Sequence, residues 1–191
     1  MTIAKSAPTR RMPRAQRREQ ILVAATRAFA RAGFGNTGLD VIAAEAGVTP
    51  VILYRHFASK ADLYRVVLES AGARLRQVVG TETFDDTSIP ALLRAASADP
   101  AAFRLLFRYA PGEPEFLDVI ETFRSTATEI AHRNLADIPD HRWRSWAAEL
   151  LPTLTTDAVI AWLDAGQPDP DQAAARIRHV VDAVIKAAHD H

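Results

Sequence analysis

An all-α fold is what three features of the sequence predict. Apolar residues recur at helical spacing in most stretches between Arg14 and His189. Capping hydroxyls, prolines and glycines stand between those stretches in the order that starts and stops helices. No apolar–polar alternation runs longer than a few residues, so no strand is expected. With 191 residues and 48% hydrophobic content, the chain has enough material for one or two domains with a core.

Residues 1–13 carry Lys5, Arg10 and Arg11, two prolines and no apolar periodicity, and are expected to form a disordered basic arm. A first helix over Arg14–Ala32 follows, with an apolar stripe of Ile21, Leu22, Ala25, Ala28, Phe29 and Ala32; Gly33 and Gly35 end it. Thr37 is placed to cap a second helix through its hydroxyl, with Asp40 completing a capping box, so that helix should begin near Gly38. It buries Leu39, Ile42, Ala43 and Ala46 and stops at Gly47, which is suited to the left-handed position after a helix. Thr49 caps the third helix and Pro50 takes its first position, where a missing N–H costs nothing; about two turns to Phe57 are expected. Ser59 and Asp62 cap a fourth helix that runs to about Val79 on Leu63, Val66, Val67, Ser70, Ala71, Leu75 and Val78. A loop over 80–90 leads to helices near 89–98, 100–110, 114–136, 140–165 and 169–189, with Pro152 set to kink the fourth of these.

The second and third helices, joined by a short turn containing Gly47, make a helix-turn-helix, whose second helix is the one that enters the DNA major groove. Spacing alone leaves ordinary helix packing as the commoner account. The residues add to it. Gly33-Phe34, Ile42-Ala43, Ala46-Gly47-Val48-Thr49, Leu53-Tyr54, His56-Phe57, Ser59-Lys60 and Leu63 together resemble the DNA-binding head of the TetR family of bacterial transcriptional repressors. The resemblance covers about residues 14–66; beyond them only length and helical character agree. It implies a three-helix DNA-binding head over 14–58 and a helical effector-binding and dimerisation domain over 59–191.

Charge is distributed in keeping with that division. Residues 1–60 hold 10 Lys+Arg against 3 Asp+Glu, and residues 61–191 hold 13 against 20, so a net charge of zero hides a basic head and an acidic remainder. Thr49, Tyr54, His56 and Lys60 fall where TetR-like heads place phosphate contacts, and each carries a donor. Thr37 and Arg17 are further DNA-binding candidates. Tyr54 is alternatively a packing residue with a wet tip, and Thr49 only a cap. Arg55 is the strongest candidate for a base edge, because a guanidinium grips guanine O6 and N7 together; a phosphate is its other target. This chain departs from many relatives in having Pro50, Val51 and Ile52 at the helix tip and Gly38 where a second Thr is common. Pro50 and Val51 are therefore expected to meet thymine methyl groups. The arm, with Arg10, Arg11 and Arg14, either follows the DNA or is a frayed terminus.

In TetR-like proteins the fourth helix is a lever between body and head, and a shift of a few Å takes two recognition helices out of register with half-sites about 34–36 Å apart or a multiple of it. The last two helices carry Trp143, Leu150, Leu154, Ala158 and Trp162 on one and Ile177, Val181, Val184 and Ile185 on the other. These residues are either internal core or, as the resemblance implies, a four-helix dimer interface. Phe103, Phe107, Phe123 and Trp146 are candidates to line an effector cavity, although aromatics at helical spacing are more often core.

Other classes find little support. There are no cysteines, which excludes disulfides and thiolate sites and fits a reducing cytoplasm. No apolar run approaches the ~18 residues of a membrane span, and no apolar segment follows the basic N-terminus. Glu129 and His132 form one Glu-x-x-His pair, without the second that a paired-metal bundle requires. No phosphate loop or nucleophile signature occurs, so no catalytic residue, metal or cofactor is expected. The expected partners are double-stranded operator DNA, a small-molecule effector and a second copy of the chain. The alternatives are a TetR-like regulator without an effector and a helical ligand- or metal-binding bundle with a structural head.

Overall fold

The computed structural model describes residues 12–190. The expected basic arm falls almost wholly outside them. Among the described residues the chain is helical: α1 (Arg14–Ala32), α2 (Leu39–Glu45), α3 (Pro50–Tyr54), α4 (Lys60–Val79), α5 (Ser88–Ala98), α6 (Pro100–Arg104), α7 (Leu117–Asn134), α8 (His141–Asp164) and α9 (Pro170–His189). A π-helical turn, Leu105–Tyr109, and two short 3₁₀ turns, Ala110–Gly112 and Pro114–Phe116, join α6 to α7. That irregular stretch replaces the continuous helix expected over 100–110.

The caps explain most of the boundaries. Ser59 accepts from the Asp62 N–H at 3.0 Å while the Asp62 carboxylate accepts from the Ala58 N–H at 2.9 Å, so the box at the start of α4 forms reciprocally. Gly47 has φ +63°, and the Val48 N–H behind it donates to Ala43 O at 2.9 Å, closing α2. The box expected at Thr37 does not form. α2 begins one residue later than expected, with Gly38 as an uncapped lead residue. The Thr37 hydroxyl donates instead to Gly33 O at 2.6 Å, and at 2% exposure it fastens the turn after α1. α3 is also shorter than expected, five residues against about two turns.

One core joins the head to the body. Ile21, Ala25 and Phe29 of α1, Ile42 of α2, Leu53 and Phe57 pack with Leu63, Tyr64, Val67 and Leu68 of α4 and with Leu105, Leu106 and Phe116 beyond it. Phe29 meets Tyr64 edge-on with ring centroids 4.8 Å apart, and Phe116 lies 4.6 Å from Tyr64 and 5.0 Å from Phe34. Edge and tilted contacts of this kind each add about 0.5–1.5 kcal/mol beyond burial. Tyr64 and Leu68, which the sequence stripe omitted, are fully buried, whereas Val78, which it included, is half exposed.

The Tyr64 hydroxyl is enclosed without a hydrogen-bond partner among the described residues. Burial, with Glu113 nearby, pushes its pKa well above the usual phenol value, so the hydroxyl stays protonated. Replacing Tyr64 with phenylalanine keeps every ring contact and removes an unsatisfied polar group, which is expected to stabilise the protein by about 1 kcal/mol. The gain should read as a higher urea midpoint at unchanged m-value. A lower midpoint would mean that the hydroxyl has found a partner.

Two further cores build the body. Leu93, Ala96, Phe103, Val159, Trp162, Leu163 and Ile177 tie α5 and α6 to α8 and α9, while Ala131, Leu135, Ile138, Ala147, Ala148, Leu151 and Ala188 tie α7 to α8 and α9. Pro152 is accommodated within α8, which continues to Asp164. Between these packed groups lies a cavity of about 770 Å³. No helix among the described residues is long and apolar enough to cross a membrane.

Candidate nucleic-acid interface

α3 is only five residues long, too short to hold itself together, so its form depends on tertiary anchors. Leu53 is fully buried and Phe57 is 2% exposed; both point into the head core. With those two inward, helical geometry turns the intervening residues out. Thr49, Pro50 and Arg55 are exposed, as are Val51 at 63% and Tyr54 at 57%. The Thr49 hydroxyl accepts from the Ile52 N–H at 3.4 Å, a long cap that leaves its proton available to another acceptor. The Arg55 guanidinium makes no hydrogen bond or ion pair within the described residues. This is an exposed helix face with apolar groups at its tip and donors along its flank.

The first turns of α1 flank that surface. Arg17 donates to the Gln20 side-chain oxygen at 3.0 Å, and Gln20 in turn donates to Ala46 O at 2.8 Å, so α1 holds the end of α2. Gln20 was not singled out in the sequence, because its partner lies 26 residues away. The Arg18 guanidinium stands 5.0 Å from the centroid of the Phe57 ring. His56 sits against this group. Its pKa is held below the ordinary histidine value by burial first, then by Arg14, Arg18 and Arg17. The shift favours the neutral imidazole, and its Nδ1 is enclosed without a hydrogen-bond partner among the described residues. Arg14, Arg17 and Arg18 thus form a basic flank beside His56, of the kind that attracts phosphate.

One expected contact needs correction, and a second has an internal partner. Thr37 is buried with its hydroxyl engaged, so it is a structural tie rather than a DNA contact. Lys60 reaches back over the turn between α1 and α2. Its ammonium donates to Phe34 O at 2.8 Å and lies 4.4 Å from the centre of the Phe34 ring. Its first task is to fix that turn to α4.

The body sorts its candidates differently from the sequence. Phe107 and Phe123 line the cavity, together with Leu75, Ile120, Val181 and Ile185 among others. Phe103 does not, being packed in the core under α5 with its ring 4.7 Å from Phe107. Trp146 does not either; it is 42% exposed on α8 and meets Trp143 edge-on. Of the residues assigned to a dimer interface, Trp162 and Ile177 are buried within the chain at 7% and 6% exposure, and the Trp162 indole donates to Pro168 O. Both belong to the internal core. Val181 and Ile185 face the cavity, and Val184 is half-buried against the neighbouring core. Trp143 and Trp146 remain exposed, Leu150, Leu154 and Ala158 are half-buried, and Val180, which belongs to the apolar stripe of α9, is 44% exposed. Among the described residues no group of three or more His, Asp or Glu is placed to hold a metal ion.

Comparisons with known proteins agree with this arrangement. Residues 21–67 match the family model described as bacterial regulatory proteins, tetR family. The chain is 30% identical over 177 residues to the HTH-type transcriptional activator FasR of Mycolicibacterium smegmatis, spanning 85% of this chain and 80% of that protein. A TetR-like transcriptional regulator from Rhodococcus sp. RHA1 superposes with a TM-score of 0.75 at 22% identity, over 93% of this chain and 96% of that one. The fatty acid degradation regulator FadR from Bacillus halodurans does so with a TM-score of 0.65 at 16% identity, over 95% and 96%. Neighbours at such identities establish the shared fold, and the relative at 30% identity establishes more: this chain belongs to the TetR family of DNA-binding transcriptional regulators and is not an enzyme.

Proposed function

We propose that the protein is a homodimer that binds a palindromic operator in bacterial cytoplasm and is released from it, as a repressor, by a small apolar or amphipathic effector. The observation that supports this best is the pairing, in one chain, of an outward α3 face with an apolar-walled cavity beneath α4. Pro50, Val51, Tyr54 and Arg55 supply the face, with Thr49 at its start and His56 and Arg17 at its flank. On this proposal Pro50 and Val51 meet thymine methyl groups and Arg55 is the main polar reader of base edges.

The dimer is inferred from what α8 and α9 leave uncovered. Trp143, Trp146 and Val180 are large apolar residues exposed on adjacent helices, and Leu150, Leu154 and Ala158 continue along α8. A second copy related by a two-fold axis would cover them, and a two-fold operator needs two probes. A cavity of about 770 Å³ lies within the range of small-molecule sites. That favours an effector-controlled regulator over one without a ligand.

A second reading of the output has a specific ground: FasR is named an activator. Selection of bound sequences from random duplex DNA tests the proposal. A palindromic motif is expected, with log affinity falling against log salt by about 0.9 per neutralised phosphate. No enriched sequence, or no salt dependence, would refute it. Transcription from the recovered site, with and without protein, separates repression from activation. Compounds that release the duplex identify the effector.

A further inference from the structure

Glycine in a helix interior is disfavoured relative to alanine, yet α4 carries Gly72 in its middle, buried. A Cβ at that position would lie 1.6 Å from Cζ of Phe123 and 2.1 Å from its Cε1. The Phe123 ring, which belongs to α7, therefore rests directly on the α4 backbone. One turn further along α4 the Arg76 guanidinium carbon stands 4.6 Å from the centroid of the same ring. Arg124 and Arg178, the other two arginines of the cavity lining, face carboxylates: Arg124 lies 3.3 Å from Glu121, and Arg178 pairs with Asp86. Arg76 lies over a ring instead. Gly72 and Arg76 thus hold Phe123 at two points one helical turn apart, and Phe123 and Arg76 both line the cavity.

We propose that Phe123 is the positioning residue through which the cavity holds α4. Seated on Gly72 beneath Arg76, the ring fixes the second half of α4 against α7, and α4 leads directly from α3. An occupant that pushes the ring off its seat frees α4 and widens the range of α3 positions, lowering the fraction of protein able to span the operator. That last step rests on the cavity being the effector site; the seat itself does not.

The test needs no effector. In the full-length protein, Phe123→Ala is expected to weaken operator binding about 5- to 20-fold, within the span of such couplings. It should also raise amide exchange across residues 72–79 while leaving α9 amides unchanged, whereas a merely structural loss would raise exchange throughout. Gly72→Ala should do the same by expelling the ring. In a Phe123→Ala background the added methyl enters vacated space, so Gly72→Ala should no longer lower the melting temperature. Operator affinity within twofold of wild type in Phe123→Ala, or an equal melting penalty for Gly72→Ala in both backgrounds, would overturn the proposal. Failure of the effector reading shows separately, as a wild-type protein whose melting no apolar compound raises, and leaves these ligand-free comparisons standing.

Discussion

Replacing Leu53 with alanine is expected to weaken operator binding by more than about 100-fold while leaving the body folded. A helix of five residues is far below the roughly 12–15 at which an isolated helix becomes stable, so α3 owes its shape to what it buries. Leu53 is its one buried residue, fully enclosed among α1, α2 and α4 side chains. Truncation of a buried leucine costs about 2–5 kcal/mol, because the site loses apolar contact and keeps part of the void. Net stability of a protein this size is about 5–15 kcal/mol, so the loss falls first on the least supported element. In the proposed dimer it counts twice, since both copies of α3 must be formed together. About 2 kcal/mol per subunit then exceeds two orders of magnitude in affinity. Leu53→Met, which conserves volume, costs under about 1.5 kcal/mol and should retain most binding. Fluorescence anisotropy on the recovered duplex measures the loss, and a far-UV melt shows that the helical body persists. An alanine variant binding within threefold of wild type would mean that α3 does not carry recognition.

That argument also indicates which parts of the molecule could be read from sequence. Local chemistry is legible where the partner is close in the chain. Ser59 and Asp62 cap α4 as expected, Gly47 turns α2, and Pro50 opens α3, because each acts on backbone within four residues. Thr37 is the exception, since local acceptors and donors compete for it. Its spacing to Asp40 suits a cap, but its hydroxyl finds Gly33 O behind it, a choice set by how α1 and α2 pack. The irregular turn at Leu105–Tyr109 is a similar case. Its apolar pattern is helical, and its distortion arises where α6 meets both α1 and α8, with Arg104 and Arg108 both held by Asp164 at 3.0 and 2.7 Å.

Burial among long-range partners was the least legible feature. Trp162 and Trp146 sit on one helix in equivalent apolar surroundings, and nothing in the sequence tells which one α5 will cover. The structure places Trp162 under α5 and leaves Trp146 outside. Phe103 and Phe107 are four residues apart, yet one is core and the other lines the cavity, because the π-helical turn between α6 and α7 changes their relative direction. Phe123 was legible as an aromatic on a helix. Its seat was not, since Gly72 lies 51 residues away and acquires meaning only when the two helices are brought together.

Arg55→Ala carries the other large effect, and it separates two roles that exposure alone leaves equal. The side chain is solvent-exposed and has no partner in the described residues, so its removal should change folding stability by no more than about 0.5 kcal/mol. Any loss of affinity is then a loss of DNA contact. A guanidinium gripping a guanine edge with two bonds contributes about 1–3 kcal/mol of discrimination, and a dimer uses two, so affinity for the selected operator should fall by about 2–6 kcal/mol. Binding to unrelated duplex should fall far less, because non-specific affinity comes from phosphates. Repeating the sequence selection with the variant should show one position per half-site losing its preference. Arg55→Lys discriminates further: it keeps the charge but not the planar fork, so a base reader stays impaired while a phosphate contact is largely restored. If Arg55→Ala instead lowers the salt slope by about one per subunit and leaves the selected motif unaltered, Arg55 holds the backbone. Sequence reading would then fall to Pro50, Val51 and Tyr54 on the same exposed face.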